Sequence, residues 1–207
     1  MPNVDFKPLE RRTRAVYERN ANAFDRQRAK HLFERPWLDR FIAGLPEGGH
    51  ILDLGCGSGE PMARYLIEHG FRITGIDVAQ AMVGIAQSRF PEHTWQQGDM
   101  RELDLGAPFD GIIGWNSFFH LPPEDQPDTL RRIAGHLKPG GHLMLTVGPE
   151  HGEVTGHVNG ERVYHGSLAP EAYTRILSDL GLGIIDFVLE DEACDFHTVL
   201  LAQTTDA

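Results

Sequence analysis

The chain has 207 residues, of which 41% are hydrophobic and 24% are charged, and its formal net charge at pH 7 is −11. This length suits one globular domain with a small appendage, and the composition argues against a disordered chain. Because a strongly acidic protein repels phosphate backbones, the charge argues against non-specific binding to nucleic acid.

The charge is unevenly distributed along the chain. Residues 1–40 carry a net charge of +4, residues 41–149 carry −6, and residues 150–207 carry −9. A solvated acidic face is the simplest explanation of the last value, and a site that favours a neutral or cationic amine is the alternative.

The N-terminal segment and the cysteines bear on where the protein works. The first residues lack an apolar signal-peptide core, and no apolar run approaches about 18 residues, so we expect neither secretion nor membrane insertion. Two cysteines without C-x-x-C spacing predict neither a disulfide framework nor a sulfur-rich zinc site. The sequence therefore predicts a cytoplasmic monomer or homodimer without nucleic-acid or membrane partners.

In chain order, residues 1–44 are predicted to form a helical cap. A polar helix is expected from Leu9 to about Lys30, and a second, short helix starts near Pro36 and ends before Gly44. Residues 45–207 are predicted to form the main domain, in which short apolar strands alternate with helices.

The first part of this domain has the pattern of parallel βαβ units. Its predicted strands are His50–Leu54, Arg72–Asp77, Thr94–Gln97, Phe109–Trp115 and His142–Val147. The helices between them are expected near Glu60–His69, Gln80–Arg89 and Glu124–Leu137. This alternation predicts a doubly wound α/β fold with helices on both faces of the sheet.

The last part of the chain has a different pattern. A helix near Pro170–Leu180 precedes two strands, Leu182–Glu190 and Phe196–Ala202, whose connection is too short to hold a crossover helix. These two strands should therefore pair antiparallel. The predicted sheet has seven strands, is mostly parallel, and ends in an antiparallel hairpin.

A glycine-rich turn follows the first predicted strand, in the segment Ile51–Glu60 (ILDLGCGSGE). Its G-x-G-x-G spacing is one residue shorter than the G-x-G-x-x-G fingerprint of dinucleotide-binding folds. Asp53 precedes the turn and Glu60 follows it, so a pyrophosphate would meet negative charge there. The turn is better suited to a ligand with an ammonium and a sulfonium group.

The segment Asp53–Gly59 resembles motif I of the class I S-adenosylmethionine-dependent methyltransferases, in particular small bacterial members without an assigned substrate. Four later segments follow that family's order: residues 73–77 (ITGID), 97–100 (QGDM), 109–116 (FDGIIGWN) and 137–143 (LKPGGHL). The resemblance covers about residues 45–203. It implies a Rossmann-like sheet, S-adenosylmethionine as the cofactor, and methyl transfer to a small molecule by in-line displacement.

The resemblance also implies roles for individual residues. Asp77 would hold the ribose hydroxyls, Asp99 would accept from the adenine amino group, and Met100 would contact the ring. The other expected cofactor-binding residues are Asp53, Gly55, Gly57, Gly59, Val78, Met82, Trp115 and Asn116 in the main domain, and Tyr17 and Arg28 in the cap. Arg28 is expected at the methionine carboxylate and Tyr17 at the sulfonium or the substrate; a surface helix with its aromatic residues packed on the core is the alternative.

The methyl acceptor must lose a proton when it is a hydroxyl or an ammonium group, and histidine is suited to take it. His120 is the first candidate because it follows the fourth strand, and His165 and His151 are the next. The alternative for each is a loop histidine that donates to a backbone carbonyl. No histidine pair has the spacing of a metal site, so no metal is predicted.

Three function classes follow from these observations. A methyltransferase is favoured by the five segments that resemble that family. Its acceptor is expected to be a small molecule, because the segment Asn116–Phe119 lacks the Asn-Pro-Pro-aromatic motif of methyltransferases that act on nucleobase or glutamine amines. A regulator that binds the cofactor without catalysis is the second. A nicotinamide-dependent oxidoreductase is the third, disfavoured by the glycine spacing and by the lack of a Tyr-x-x-x-Lys pair.

Overall fold

The computed structural model describes residues 5–205, and its strands and helices follow the alternation expected from the sequence. The strands are β1 (His50–Leu54), β2 (Arg72–Asp77), β3 (Thr94–Gln97), β4 (Phe109–Gly114), β5 (Leu137–Val147), β6 (Gly152–Val158), β7 (Glu161–Ser167), β8 (Leu182–Asp191) and β9 (His197–Thr204). The helices are α1 (Lys7–Gln27), α2 (Arg35–Ile42), α3 (Met62–Glu68), α4 (Gln80–Arg89), α5 (Gln126–Gly135) and α6 (Pro170–Asp179).

Seven strands form one sheet in the order β3-β2-β1-β4-β5-β9-β8. The first five are parallel, whereas β9 pairs antiparallel with both β5 and β8. The predicted Rossmann-like, doubly wound architecture with a C-terminal antiparallel hairpin is therefore confirmed. The short connection from β8 to β9 fixes the direction of the last strand, as the sequence predicted.

Two apolar layers cover the sheet, one on each face. Alternate residues of the central strands belong to different layers, so that Ile51 of β1 packs with α2, α3 and α4, and its neighbour Leu52 packs with α5 and α6. Trp37 and Phe41 of α2 are buried in the first layer. Part of the predicted 1–44 cap thus belongs to the core of the sheet, and the boundary at residue 44 stays a prediction.

The hairpin β6–β7 was not predicted from the sequence, which assigned no element between the fifth strand and the last helix. It forms a separate two-stranded sheet that packs on α1, where Val16 contacts Val158 and Val163. Only Val158 of β6 is buried, so the strand lacks a long apolar alternation. The local signal was Asn159-Gly160, both with positive φ, because this dipeptide is the preferred two-residue hairpin turn.

Helix α1 lies across the carboxyl edge of the sheet, between the hairpin on one side and α4 on the other. Arg19 and Asn20 of α1 hydrogen-bond Glu161 of the hairpin. On the opposite side, Asp25 accepts two hydrogen bonds from Arg89 of α4, each of 2.8 Å. The helix is thereby fixed above the strand ends, and none of the helices within residues 5–205 has the length and apolarity to cross a bilayer.

Candidate active site

A cavity of about 340 Å³ lies between the carboxyl ends of the parallel strands and helix α1. Ligands bind at this edge in doubly wound sheets. The residues predicted for the site that line the cavity are Tyr17, Arg28, Asp53, Gly55, Gly57, Asp77, Val78, Met82, Asp99, Met100, Trp115, Asn116 and His120. The structure therefore brings together segments from six separate parts of the sequence.

The glycine turn after β1 forms the floor of this cavity. The amides of Gly55 and Cys56 donate to the carbonyl of Ile76, at 2.8 and 3.0 Å, which ties the turn to β2. Gly57 has a φ of +52°, and a Cβ atom built on it would have no neighbour within 4 Å, so this position is open towards a ligand.

Gly59, the third glycine of the motif, faces the core and not the cavity. Its φ is +77°, and a Cβ atom would lie 2.9 Å from the Phe90 ring and 3.4 Å from that of Trp95. Gly59 does not line the cavity. It permits close packing of the turn on the core, which is one of the roles that glycines have in such turns.

Two carboxylates stand at the ends of neighbouring strands. Asp53 of β1 is buried, and its Oδ2 has no hydrogen-bond partner. Burial, and secondarily the charge of Asp77, raises the pKa of Asp53 to about 7. A ligand that brings a positive charge or a hydrogen-bond donor to Asp53 would remove this cost.

Asp77 of β2 holds the backbone around it. Its Oδ2 accepts from the amide of Gly57 at 2.9 Å, and its Oδ1 accepts from the amide of Ala79 at 2.8 Å. Burial raises the pKa of Asp77 to about 6 although both hydrogen bonds act to lower it. Because each carboxylate oxygen has two lone pairs, both oxygens keep a position for a ligand hydroxyl.

Asp99, after β3, is held by Arg101. The Arg101 Nη2 donates to Asp99 Oδ2 at 2.7 Å, and the Arg101 amide donates to Oδ1 at 2.9 Å. Burial acts to raise the pKa of Asp99, but the hydrogen bonds from Arg101 outweigh it and leave the pKa below its usual value. Asp99 is therefore a fixed, ionised acceptor at one end of the cavity, beside the buried Met100.

Arg28 lies just beyond the end of α1 and is paired with a buried acid. Its Nη2 donates to Glu34 Oε1 at 2.5 Å, and its guanidinium lies over the Phe33 ring at 5.9 Å. Glu34 is fully buried, and its Oε2 has no partner. The guanidinium therefore occupies a fixed position on the cavity wall and has further N–H groups for a ligand.

The three predicted histidines lie at different distances from the cavity. His120 lines it, with Nε2 at 2.9 Å from the Tyr17 hydroxyl and Nδ1 at 2.7 Å from the carbonyl oxygen of Tyr164. His165 does not line the cavity, but its ring centroid is 5.0 Å from that of His120. His151 is exposed in the turn before β6. Burial lowers the pKa of His120 and of His165 to about 4.

Comparison with known proteins connects this cavity to a family. The family model described as a methyltransferase domain matches residues 51–141, which include the glycine turn and all three acids discussed above. The dTDP-4-amino-2,3,4,6-tetradeoxy-D-glucose N,N-dimethyltransferase of Saccharopolyspora spinosa is 31% identical over 146 residues, which are 69% of this chain and 55% of that protein. The chain belongs to the class I S-adenosylmethionine-dependent methyltransferase family.

Two further similarities concern one more curated protein and one solved structure. The putative methyltransferase YqeM of Bacillus subtilis (strain 168) is 34% identical over 138 residues, 64% of this chain and 55% of that protein. The chain thus spans about half the length of these curated relatives. The 1,6-didemethyltoxoflavin-N1-methyltransferase of Burkholderia thailandensis has a similar fold, with a TM-score of 0.74 and 21% identity over 100% of this chain and 93% of that one.

Several residues in and around this cavity were not predicted. Arg101 lines the cavity, Glu34 pairs with Arg28, and the carbonyl of Tyr164 holds His120. Arg101 is adjacent to the QGDM segment and was open to prediction from that position. Tyr164 had no local signal, because it acts on a residue 44 positions away; Glu34 lies only six positions after Arg28, but nothing in that spacing indicated the pairing. Within residues 5–205, no group of three His, Cys, Asp or Glu side chains is placed to hold a metal ion.

Proposed function

We propose that this protein binds S-adenosylmethionine in the cavity beneath α1 and transfers its methyl group to a small-molecule acceptor. The observation that carries the proposal is the unpaired, buried carboxylate oxygen of Asp53 beside the open glycine turn. A buried acid without a partner is costly, and a cationic ligand stabilises it. Membership of the methyltransferase family supports the same ligand.

The residues around the cavity fit the cofactor group by group. Asp53 suits the methionine ammonium, Arg28 suits the methionine carboxylate, and Asp77 has lone pairs for the ribose hydroxyls. Asp99, ionised and fixed by Arg101, suits an amino group of the adenine, and Met100 suits the ring face. When bound, S-adenosylmethionine supplies an electrophilic methyl group on a sulfonium.

The protein's contribution to the reaction is positioning and exclusion of water. Helix α1, fixed to both α4 and the β6–β7 hairpin, covers the cavity and limits the acceptor to a small molecule. In-line displacement depends on alignment of the two reacting atoms, so a rigid roof and floor lower the barrier without covalent catalysis. We further propose that the protein acts in the cytoplasm, as a monomer or homodimer.

Calorimetric titration with S-adenosylmethionine, S-adenosylhomocysteine and NAD tests the binding step. We expect the first two to bind and NAD not to bind. Binding of NAD alone would contradict the proposal and favour the oxidoreductase.

A screen for formation of S-adenosylhomocysteine, with amines, alcohols, phenols, thiols and carboxylic acids as acceptors, tests the transfer step. We expect turnover with at least one of these classes. Tight cofactor binding without turnover in any class would favour the regulator that binds without catalysis.

A further inference from the structure

A chain of two hydrogen bonds joins three distant parts of the molecule at the cavity. The Tyr17 hydroxyl of α1 contacts His120 Nε2 at 2.9 Å, and His120 Nδ1 contacts the Tyr164 carbonyl of β7 at 2.7 Å. These contacts join residues that are 103 and 44 positions apart in the sequence. Tyr17 and His120 both line the cavity.

The direction of both hydrogen bonds follows from the carbonyl group. A carbonyl oxygen only accepts, so His120 Nδ1 must carry the hydrogen in its contact with Tyr164. In a neutral imidazole the other nitrogen, Nε2, is then a bare acceptor. The Tyr17 hydroxyl therefore donates its only hydrogen to His120, and its oxygen has only lone pairs left for the cavity.

The charge state of the pair supports this direction. Burial, followed by the neighbouring His165 of β7, lowers the pKa of His120 to about 4, so the ring is neutral at pH 7. Burial, followed by the charge of Asp77 at the end of β2, raises the pKa of Tyr17, so its hydroxyl keeps the hydrogen that it donates. Neither Tyr17 nor His120 therefore carries a positive charge that would repel a cationic ligand.

The pair is also fixed in position. The Tyr164 amide donates to Thr13 Oγ1 of α1 at 2.9 Å, while the carbonyl of the same residue holds His120. The Tyr17 ring packs edge-on against the rings of Phe24 and His120, with centroids at 5.5 and 5.3 Å. The Tyr17 oxygen thus has one orientation rather than a freely rotating hydroxyl.

We propose that Tyr17 and His120 form one unit that selects a methyl acceptor with an N–H or O–H bond at the atom to be methylated. This inference rests on the function proposed above. The Tyr17 oxygen accepts the hydrogen of that bond and thereby orients a lone pair of the neutral amine or hydroxyl towards the methyl carbon. This lone pair forms the new bond as the carbon–sulfur bond breaks and its electron pair stays on sulfur; an amine product keeps its proton as an ammonium, and a hydroxyl releases its proton through the Tyr17 oxygen to His120 Nε2. A carboxylate has no such hydrogen and meets the lone pairs of Tyr17, so it is disfavoured.

The variant Tyr17→Phe tests the role of the oxygen, because it keeps the ring and its packing. In the wild type we expect S-adenosylhomocysteine to form with amines or alcohols and phenols, but not with carboxylic acids. In Tyr17→Phe we expect kcat/KM for the accepted class to fall about tenfold or more, because the acceptor loses one hydrogen bond in the transition state. Cofactor affinity should stay within about twofold of the wild type.

Tyr65→Phe is the matched control. It also removes a tyrosine hydroxyl with a side-chain hydrogen bond, here to Asp39, but Tyr65 does not line the cavity. We expect no change in kcat/KM for Tyr65→Phe. Transfer to carboxylic acids by the wild type, or unchanged transfer by Tyr17→Phe with normal cofactor binding, would overturn the inference and leave the proposed function intact.

Nitrogen NMR of the cofactor-free protein gives a second readout that needs no activity. We expect His120 to show a protonated Nδ1 and a bare Nε2 at pH 7, with the Nε2 resonance shifted in Tyr17→Phe; the His120→Gln variant assigns the signals. A proton on Nε2 would reverse the hydrogen bond and overturn the inference. Failure of the wild type to bind S-adenosylmethionine would overturn the proposed function, and with it the acceptor class, even where the NMR result is as expected.

Discussion

The two sides of the cavity are built in different ways. On the strand-end side, Asp53 and Asp77 lie near the ends of two neighbouring strands beside the glycine turn, and burial raises the pKa of both. On the cap side, Tyr17, His120 and Tyr164 meet only through long-range contacts, and burial lowers the pKa of His120. One side holds excess negative charge without a partner, and the other is kept neutral. The difference suits a ligand whose positive end faces the acids and whose reacting group faces the cap.

The largest expected effect concerns the ion pair at the end of the cap helix. Arg28→Ala should lower the free energy of unfolding by about 3–5 kcal/mol, because it leaves the buried Glu34 without a counter-charge. Urea unfolding followed by circular dichroism measures this. Arg19→Ala is the matched control, since its pair with Glu161 is largely exposed and should contribute much less to stability than the buried pair. An equal loss of unfolding free energy in the two variants would show that the buried Arg28–Glu34 pair stabilises the cap no more than an exposed pair does.

The next effect separates two glycines of the strand-end turn. Gly59→Ala should destabilise the fold by about 2–4 kcal/mol, from a left-handed backbone and a Cβ placed 2.9 Å from the Phe90 ring. Gly57→Ala has the same backbone strain but open space around the Cβ, so it should cost about 1–2 kcal/mol. Calorimetric titration should show the greater loss of cofactor affinity in Gly57→Ala. A greater loss of affinity in Gly59→Ala than in Gly57→Ala would contradict a cofactor site on the Gly57 side of the turn.

The third prediction concerns Asp77, the acid proposed to hold the ribose hydroxyls. Asp77→Ala should weaken S-adenosylmethionine binding at least tenfold, which is about 1.4 kcal/mol or more, because it removes both ligand acceptors and the anchor of the Gly57 amide. Isothermal titration measures it, with the exposed Asp104→Ala as the control for a lost surface charge. Unchanged affinity would contradict the assignment of Asp77 to the ribose.

The smallest effect, taken per pH unit, is in the pH dependence of the stability of the cofactor-free protein. The pKa of Asp53 is higher in the folded than in the unfolded state, so this acid makes stability fall as pH rises from about 4 to 7. The pKa of His165 is lower in the folded state, so this histidine makes stability fall as pH drops from about 6.5 to 4. Asp53 at the strand ends and His165, which packs beside His120 but does not line the cavity, therefore have opposite slopes in the same pH range.

Two variants separate these slopes. Relative to the wild type, Asp53→Asn should gain stability as pH rises, and His165→Gln should gain it as pH falls, each by up to about 1.4 kcal/mol per pH unit. Urea unfolding at several pH values from 4 to 7 measures both. If the stability of both variants relative to the wild type changes with pH in the same direction, the contrast between the acidic and the neutral side is wrong.

The strand-end side was largely predictable because its signals are local. The acids follow strands whose bounds the sequence predicts within a few residues, and parallel strands bring their carboxyl ends to one edge. Gly59 shows the limit of this reasoning, since all three glycines were expected at the cofactor and the packing against Phe90 decides that this one faces the core. Tyr17 and Arg28 were predicted with a surface helix as the alternative, and only the path of α1 places them on the cavity wall.

The sequence by itself determined the class of fold, the glycine turn and the acids at the strand ends, because hydrophobic periodicity and turn chemistry are properties of neighbouring residues. Only the tertiary structure decided what the cap does: which histidine meets Tyr17, which acid holds Arg28, and that the β6–β7 hairpin packs on α1. The contacts of α1 with His120 and with the hairpin residue Tyr164 join residues 103 and 151 positions apart. No local pattern encodes such a pairing, because it depends on how the packed elements meet in space.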